Sequence, residues 1–274
     1  ISNMVVYICN PCVVVHSFQI ELTDDKIKGL MIAIGLSVVV HMVLIIGSEI
    51  LSFIFHFNSI EKASIIYTNA GYLVIPLVGA VLGEEWVFYT TAFILVQTVL
   101  MWTHGVKLIG QEKELNIRKI LCNPNVIAMI IGIALFALEI RLPTVADSCV
   151  SGFGDMISPA SMMVIGMVIG DVDLKWVFRQ KRPYLICLLR LIVFPLIAVV
   201  AFAGLERSGI HPDAEYILMI VLIATSAPAA AMITQLAQIY EKDSRYASVI
   251  NVMSVICCII TMPLMVLIYE MLIG

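Results

Sequence analysis

The chain has 274 residues, of which 61% are hydrophobic and only 13% are charged, and its mean hydropathy is +1.03. Soluble domains are about 45–50% apolar and about 25% charged, so this composition excludes a soluble globular protein and predicts an all-α polytopic membrane protein. Because a spanning helix takes about 20 residues, the length allows about nine or ten spans and leaves no room for a separate soluble domain.

Nine apolar segments are predicted to span the membrane. In chain order they cover residues 2–18, 28–55, 62–82, 86–109, 124–140, 147–170, 183–204, 214–239 and 245–272. The first is predicted to be interrupted at Asn10-Pro11. An amphipathic stretch at 112–121 is predicted to lie at the membrane interface, because its apolar residues alternate with charges.

The third segment carries a helix-breaking motif, Thr68-Asn69-Ala70-Gly71, followed by Pro76. Glycine lowers helix propensity, and proline removes a backbone donor and clashes with the carbonyl four residues earlier. In hydrocarbon, each freed backbone group costs several kcal/mol unless protein, water or a ligand satisfies it. A broken helix that carries an asparagine is therefore predicted to be buried and to line a cavity.

The same pattern returns in the eighth segment as Thr225-Ser226-Ala227-Pro228, at an offset of 157 residues. The same offset produces further matches: Ala80 with Ala237, Glu84 with Glu241, Tyr89 with Tyr246, and the similar pair Thr91 and Ser248. Two interrupted segments at corresponding places in two halves indicate a transporter binding site.

The repeat is predicted to be inverted, because the third and eighth spans are five spans apart and so cross in opposite directions. The first repeat is predicted at residues 1–110, a cytoplasmic connector at 111–123, and the second repeat at 124–274. Two five-span units need ten spans, so one span is expected to precede Ile1.

Loop charges predict the orientation. Of the 16 Lys and Arg residues, eleven lie in even-numbered loops and four in odd-numbered loops, while Arg190 lies within a span. By the positive-inside rule the even loops are cytoplasmic, and the C-terminus is outside. A multi-pass protein of the cytoplasmic membrane is therefore expected.

Several segments resemble one family of carriers. The run 69–77 is similar to the pattern Asn-x-x-(apolar)-x-(Gly)-(Ile/Leu)-Pro-Leu, with Val74 where a glycine is common. Residues 227–248 resemble a second crossover and its exit, while 155–166 and 190–195 resemble two later helices. The family is that of the auxin efflux carriers, which includes plant carriers and bacterial permeases, and the resemblance covers essentially the whole chain.

This resemblance implies ten helices in two inverted repeats, of which the chain carries the second to the tenth. It also implies a scaffold domain and a transport domain, with the crossed helices in the transport domain. Across the family the substrates are small carboxylates, including auxin and, in bacteria, malonate or malate.

The residues themselves also favour an anionic substrate. A broken helix presents the N-terminus of its second half, with free N–H groups and about half a positive charge. Two crossing breaks bring two such ends together near the midplane. Pro76 and Pro228 are predicted to make the breaks. The predicted substrate-binding residues are Asn10, Thr68, Asn69, Ala70, Gly71, Thr225, Ser226 and Ala227.

Each of these assignments has a structural alternative. Asn69 either contacts substrate or supplies an interhelical hydrogen bond. The hydroxyls of Thr68, Thr225 and Ser226 either face the site or bond their own helix backbone. Asn10 either reaches the site or repairs a local kink beside Pro11.

Glu49, Asp155 and Arg190 are charged residues within predicted spans. Asp155 and Glu49 are candidates for proton relay or ion coupling, since intramembrane acids are costly and are retained for function. Arg190 is expected either to snorkel towards the inner surface or to pair with an acid.

The predicted function is a secondary transporter, a permease that moves a small organic anion, a mono- or dicarboxylate, by alternating access at the crossover. No cofactor, metal or nucleic acid is expected; the partners are the anion and the bilayer, and a homodimer is left open. The chain is not expected to be an enzyme, because H-E-x-x-H and G-x-S-x-G motifs are absent from its sequence. Its seven cysteines are interpreted as apolar fillers.

Two alternatives remain. A sodium-coupled symporter of the bile-acid type needs a polar cluster beside the crossover, and Gln97 and Asn251 are the only strong extra polar groups in the fourth and ninth spans. A non-transporting membrane sensor would bind a ligand without flux.

Overall fold

The computed structural model describes residues 1–110, 121–170 and 173–273. It confirms an all-α polytopic membrane protein. The helices are α1 (Ser2–Met4, Val5–Cys9 and Asn10–Ser17), α2 (Asp24–Phe55), α3 (Ser59–Ile66), α4 (Ala70–Val74 and Ile75–Val81), α5 (Glu84–Trp86, Val87–Leu100, Met101–Gly105 and Val106–Gly110), α6 (Pro124–Ala137), α7 (Thr144–Asp155), α8 (Ile157–Gly170), α9 (Leu174–Arg179), α10 (Arg182–Leu188, Leu189–Val193 and Phe194–Glu206), α11 (Ala214–Ser226), α12 (Met232–Ile239) and α13 (Ser244–Ile273).

Helices α2, α5, α10 and α13 are long and apolar enough to cross a membrane, with 32, 27, 25 and 30 residues. They coincide with the second, fourth, seventh and ninth predicted spans. Helices α4, α6 and α11 are apolar but shorter. The amphipathic stretch predicted at 112–121 lies outside the described residues except for Leu121, as does most of the predicted connector.

The interruption predicted at Asn10-Pro11 is wrong. The backbone stays helical through α1, with one π-helical turn at Val5–Cys9 in which the Asn10 N–H donates to Val5 O. A π turn widens the helix just before Pro11, so the proline is accommodated without a break.

The helices pack in two sets. In the first, α1 packs along α6 and α7. In the second, the long helices α2, α5, α10 and α13 surround the two broken spans. One broken span is formed by α3 with α4, and the other by α11 with α12. Both sets draw helices from the two halves of the chain. We call them the α1 set and the crossover set.

The loops lie on two opposite faces. On one face, His211 between α10 and α11 donates from its Nε2 to the carbonyl of Asp25 at 2.8 Å. On the other, Arg182 at the start of α10 binds Glu61 at the start of α3. Loops 1 and 7 therefore meet on one face, and loops 2 and 6 meet on the other, which agrees with the odd and even numbering.

Glu61, on the even-loop face, bonds residues from the starts of α3, α10 and α13. It lies just before the third predicted span and its side chain is only 2% exposed. It accepts hydrogen bonds from Arg182 Nε at 2.6 Å and from the Tyr246 hydroxyl at 2.8 Å, and it completes a capping box with Asn58. Burial favours a raised pKa, but the hydrogen bonds from Arg182, Asn58 and Tyr246 outweigh it and hold the pKa of Glu61 below its ordinary value.

Candidate functional site

The two broken spans cross through a short antiparallel backbone pair. Thr68, between α3 and α4, forms an isolated β-bridge with Ala229, between α11 and α12. Two backbone hydrogen bonds flank the bridge: Asn69 N to Pro228 O at 2.8 Å, and Ala230 N to Tyr67 O at 3.0 Å. A two-fold rotation that exchanges Thr68 with Ala229 also exchanges these two bonds, as it does in any antiparallel backbone pair.

Gln97 on α5 satisfies the backbone at the first break. Its Oε1 accepts from the Thr68 backbone N–H at 2.8 Å and from the Thr68 hydroxyl at 2.9 Å, and its Nε2 donates to Thr68 O at 2.9 Å. Because Gln97 and Thr68 are both buried, these bonds replace the water that an extended segment would need.

Asn251 and Ser254 on α13 do the same at the second break. Asn251 Nδ2 donates to Ala229 O at 2.7 Å, and the Ala229 N–H donates to Ser254 Oγ at 3.1 Å. Each break is thus held by polar side chains from the long helix that follows its own broken span.

The prolines do not both mark the breaks. Pro228 lies in the extended segment, and its carbonyl pairs with Asn69. Pro76 lies instead within α4, seven residues after the last extended residue, Asn69, where it follows a π-helical turn at Ala70–Val74. The wider turn absorbs the proline, as at Pro11 in α1.

The predicted match of Thr68 with Thr225 is displaced by one helical turn, because Thr68 pairs with Ala229. The cause is a length difference: α4 has 12 residues, in segments of 5 and 7, and α12 has 8. Matched pairs such as Tyr89 and Tyr246 come after α4 and α12 in the chain. An offset of 157 residues therefore aligns the segments that follow these two helices, but it does not align the breaks that precede them.

A cavity of about 100 Å³ lies at the N-terminal ends of α4 and α12. Its lining includes residues from both first turns and from the neighbouring helices α1, α5 and α6: Asn10, Thr68, Asn69, Gly71, Tyr72, Gln97, Trp102, Asn123, Ala230, Ala231 and Met232. Neither Lys nor Arg is among its described lining residues.

Four of the predicted binding residues line this cavity: Asn10, Thr68, Asn69 and Gly71. Ala70 is completely buried at the start of α4. The three residues predicted from the second break do not line it. Thr225 donates to Val221 O at 2.6 Å within its own helix, Ser226 is the last residue of α11, and Ala227 is buried. Residues 230–232, at the start of α12, line it in their place.

Asn10 on α1 lies directly against Gly71 on α4. A Cβ on Gly71 would stand 2.8 Å from Asn10 Nδ2, so any larger residue would require the Asn10 amide to move. Asn10 is buried, and its Oδ1 has no hydrogen-bond partner among the described residues.

A larger cavity of about 430 Å³ lies further along the seam between α1 and α4, on the odd-loop face. Its lining includes Pro76 and the predicted coupling residue Asp155, together with Glu84 and Glu85. Three carboxylates make this wall unsuited to hold an anion.

Glu49, the other coupling candidate, lies elsewhere. It pairs with Lys62 Nζ at 2.7 Å across α2 and α3, and its side chain is 46% exposed. It is not among the lining residues of either cavity. Within residues 1–110, 121–170 and 173–273, no group of His, Cys, Asp or Glu could hold a metal ion.

Sequence reasoning noticed Gln97 and Asn251 only as polar residues in otherwise apolar spans. It missed their role as caps of the breaks, and it missed Ser254 altogether. The usable signal was their isolation: a lone amide in an apolar span needs a buried polar partner, and an extended segment in a neighbouring span offers one.

Two spans that break at mid-length, cross in antiparallel fashion and bring two helix N-termini to one cavity are features of crossed-helix membrane transporters. A family model described as membrane transport protein matches residues 1–266. The chain belongs to this family, that of the auxin efflux carriers, which confirms the resemblance seen in its crossover motifs. No curated protein matches the chain. The protein is a multi-pass membrane transporter, and its family is one of transporters rather than enzymes.

Proposed function

We propose that this transporter is a secondary carrier of a small organic anion, a mono- or dicarboxylate, that binds at the crossover. The observation that carries the proposal is the cavity at the N-terminal ends of α4 and α12. The first amides of a helix lack intrahelical partners, and each end carries about half a positive charge. Two such ends attract a carboxylate, and neither a lysine nor an arginine is among the described lining residues.

Asn69 suits the role of an additional substrate contact. Its backbone N–H is committed to Pro228, but its side chain lies at the cavity wall and is 5% exposed. An amide can donate to a carboxylate and accept from a protonated or hydroxylated substrate.

The position of the two cavities supports alternating access. Both lie between α1 of the one helix set and α4 of the other. The larger is lined by Gln19 and Glu84, which adjoin the first and third loops, and the smaller by Asn123, which adjoins the fourth. The two cavities therefore approach the crossover from opposite faces, so a movement of one set against the other would open one route and close the other.

We place the protein in the cytoplasmic membrane with its even loops inside and its C-terminus outside, on the basis of the loop charges. The inverted repeat with boundaries at 110 and 124, a homodimer, and ion coupling through Asp155 or Glu49 stay predictions.

The sodium-coupled alternative is less well supported. It needs a polar cluster beside the crossover, and its two candidates, Gln97 and Asn251, bond backbone groups of the breaks. A sensor that binds without flux would use the same cavity.

The test is uptake into proteoliposomes of radiolabelled acetate, lactate, indole-acetate, malonate and malate, with and without sodium and pH gradients. We expect saturable uptake of at least one carboxylate, independent of sodium. Saturable binding without flux would favour the sensor, and uptake that needs sodium would favour the symporter.

A further inference from the structure

Arg190 is a buried cation, and no acidic partner for it is found among the described residues. It lies in the π-helical turn Leu189–Val193 of α10 and is 0% exposed, so it does not snorkel. None of the ion pairs found in the described parts of the chain includes it. Its Nη1 donates to Ile65 O at 3.3 Å, while its Nε and Nη2 are buried with no hydrogen-bond partner among the described residues.

Arg190 lies against the C-terminal end of α3, and Cys258 connects it to the C-terminal end of α11. Ile65 is in the last turn of α3, where carbonyls lack intrahelical partners. Cys258 on α13 is close enough to Arg190 for an electrostatic interaction, and its thiol contacts the carbonyl of Ser226 at 3.8 Å. Ser226 is the last residue of α11.

These ends can supply the missing negative charge. Each helix C-terminus carries about half a negative elementary charge. Two of them match the single positive charge of a guanidinium, which explains how Arg190 is tolerated in an apolar environment without a carboxylate. In carriers with broken helices, such C-terminal ends are also where a coupling cation is coordinated.

We propose that Arg190 is a built-in counter-cation of the crossover, which occupies the place of a coupling cation behind the substrate site. The N-terminal ends of α4 and α12 are then left for the anion, and the C-terminal ends of α3 and α11 are permanently neutralised. The part that concerns transport rests on the proposed function; the part that concerns the helix ends does not.

The first experiment measures thermal unfolding in detergent for Arg190→Ala. Its control is Arg207→Ala. Arg207 is an exposed cation just beyond the C-terminal end of α10, and it donates to Leu272 O at 2.9 Å. We expect the midpoint of Arg190→Ala to fall by roughly 6 °C or more and that of Arg207→Ala to change by less than about 2 °C. Millimolar ethylguanidinium should restore most of the loss in Arg190→Ala, and ethylurea, which has a similar shape without the charge, should not.

Equal losses in the two variants, or equal rescue by ethylurea, would overturn the proposal. If Arg190→Ala yields no folded protein, Arg190→Lys decides. It keeps the charge and is expected to melt within about 3 °C of the wild type, whereas the similarly long but uncharged Arg190→Met should melt lower. Indistinguishable lysine and methionine variants would also contradict a role for the charge.

The second experiment compares uptake of radiolabelled malonate and malate by wild type, Arg190→Lys and Arg190→Met, in sodium and in N-methylglucamine media at fixed pH and potential. We expect sodium-independent uptake for wild type and Arg190→Lys, and at least a tenfold loss for Arg190→Met. Sodium-dependent wild-type uptake, or full uptake by folded Arg190→Met, would overturn the proposal. Failure of the wild type to carry any carboxylate tested would instead contradict the proposed function, and the unfolding results would still decide the role of Arg190.

Discussion

At the scale of single residues, the polar side chains near the crossover fall into two groups. Gln97, Asn251 and Ser254 are committed to backbone groups of the breaks. Asn69 and Asn10 have side chains at the cavity wall. The first group allows extended backbone inside a bilayer, and we propose that the second group contacts the ligand.

Gln97→Met should destabilise the protein, because it removes the partner of three polar groups on Thr68. Losses in such networks amount to about 2–3 kcal/mol in all, so the unfolding midpoint should fall by roughly 4–10 °C. Gln235→Met, at an exposed position on α12, is the matched control and should melt near the wild type. Equal melting of the two variants would show that Gln97 does not hold the break.

Asn69→Ala should weaken substrate binding and leave folding and membrane insertion intact. A hydrogen bond to a charged group is worth about 1.5–3 kcal/mol, so the affinity for the carried anion should fall by roughly tenfold to a hundredfold. Asn3→Ala, at an exposed position in the first turn of α1, serves as the control in the same uptake assay. Unchanged affinity in Asn69→Ala would remove Asn69 from the site.

At the scale of the elements, the crossover could be predicted but its exact positions could not. Asparagine, glycine and proline in the third apolar segment, and proline in the eighth, indicated two breaks. Which residue breaks each helix depends on partners from elsewhere: the first break falls at the residues held by Gln97, and the π turn in α4 accommodates Pro76 further along. The extra turn of α4 relative to α12 likewise leaves no local signal, so the alignment at one offset misplaced the second half of the site.

Gly71→Ala should impair transport by forcing α1 and α4 apart at Asn10. The added Cβ would stand 2.8 Å from Asn10 Nδ2, whereas at Gly166 on α8 nothing lies within 4 Å. Uptake should fall in Gly71→Ala and stay normal in Gly166→Ala. The double variant Gly71→Ala with Asn10→Ala should recover part of the loss, because the clashing amide is gone. Full uptake by Gly71→Ala alone would show that the contact is loose.

At the scale of the whole molecule, the sequence predicted the class of fold and the grouping of loops on two faces. It could not predict which helices pack together, because every span is apolar and lipid-facing residues resemble core residues. Val39 and Phe53 on α2 are 59% and 82% exposed, yet Leu44 on the same helix is buried. Only the assembled structure separates the α1 set from the crossover set.

Two native cysteines can test the predicted orientation. Cys149, near the odd-loop end of α7, and Cys122, beside the fourth loop, are the exposed cysteines in the described part of the chain. A membrane-impermeant maleimide added to intact cells should label Cys149 and spare Cys122, with Cys149→Ser and Cys122→Ser as controls. The reverse pattern would invert the topology.

The most direct test of the account is a structure determined with the best-transported carboxylate bound. We predict that the carboxylate lies in the cavity at the crossover, within hydrogen-bond distance of backbone N–H groups in the first turns of both α4 and α12 and of the Asn69 amide. A carboxylate found in the larger cavity beside Asp155, or held by only one of the two half-helices, would contradict the central claim.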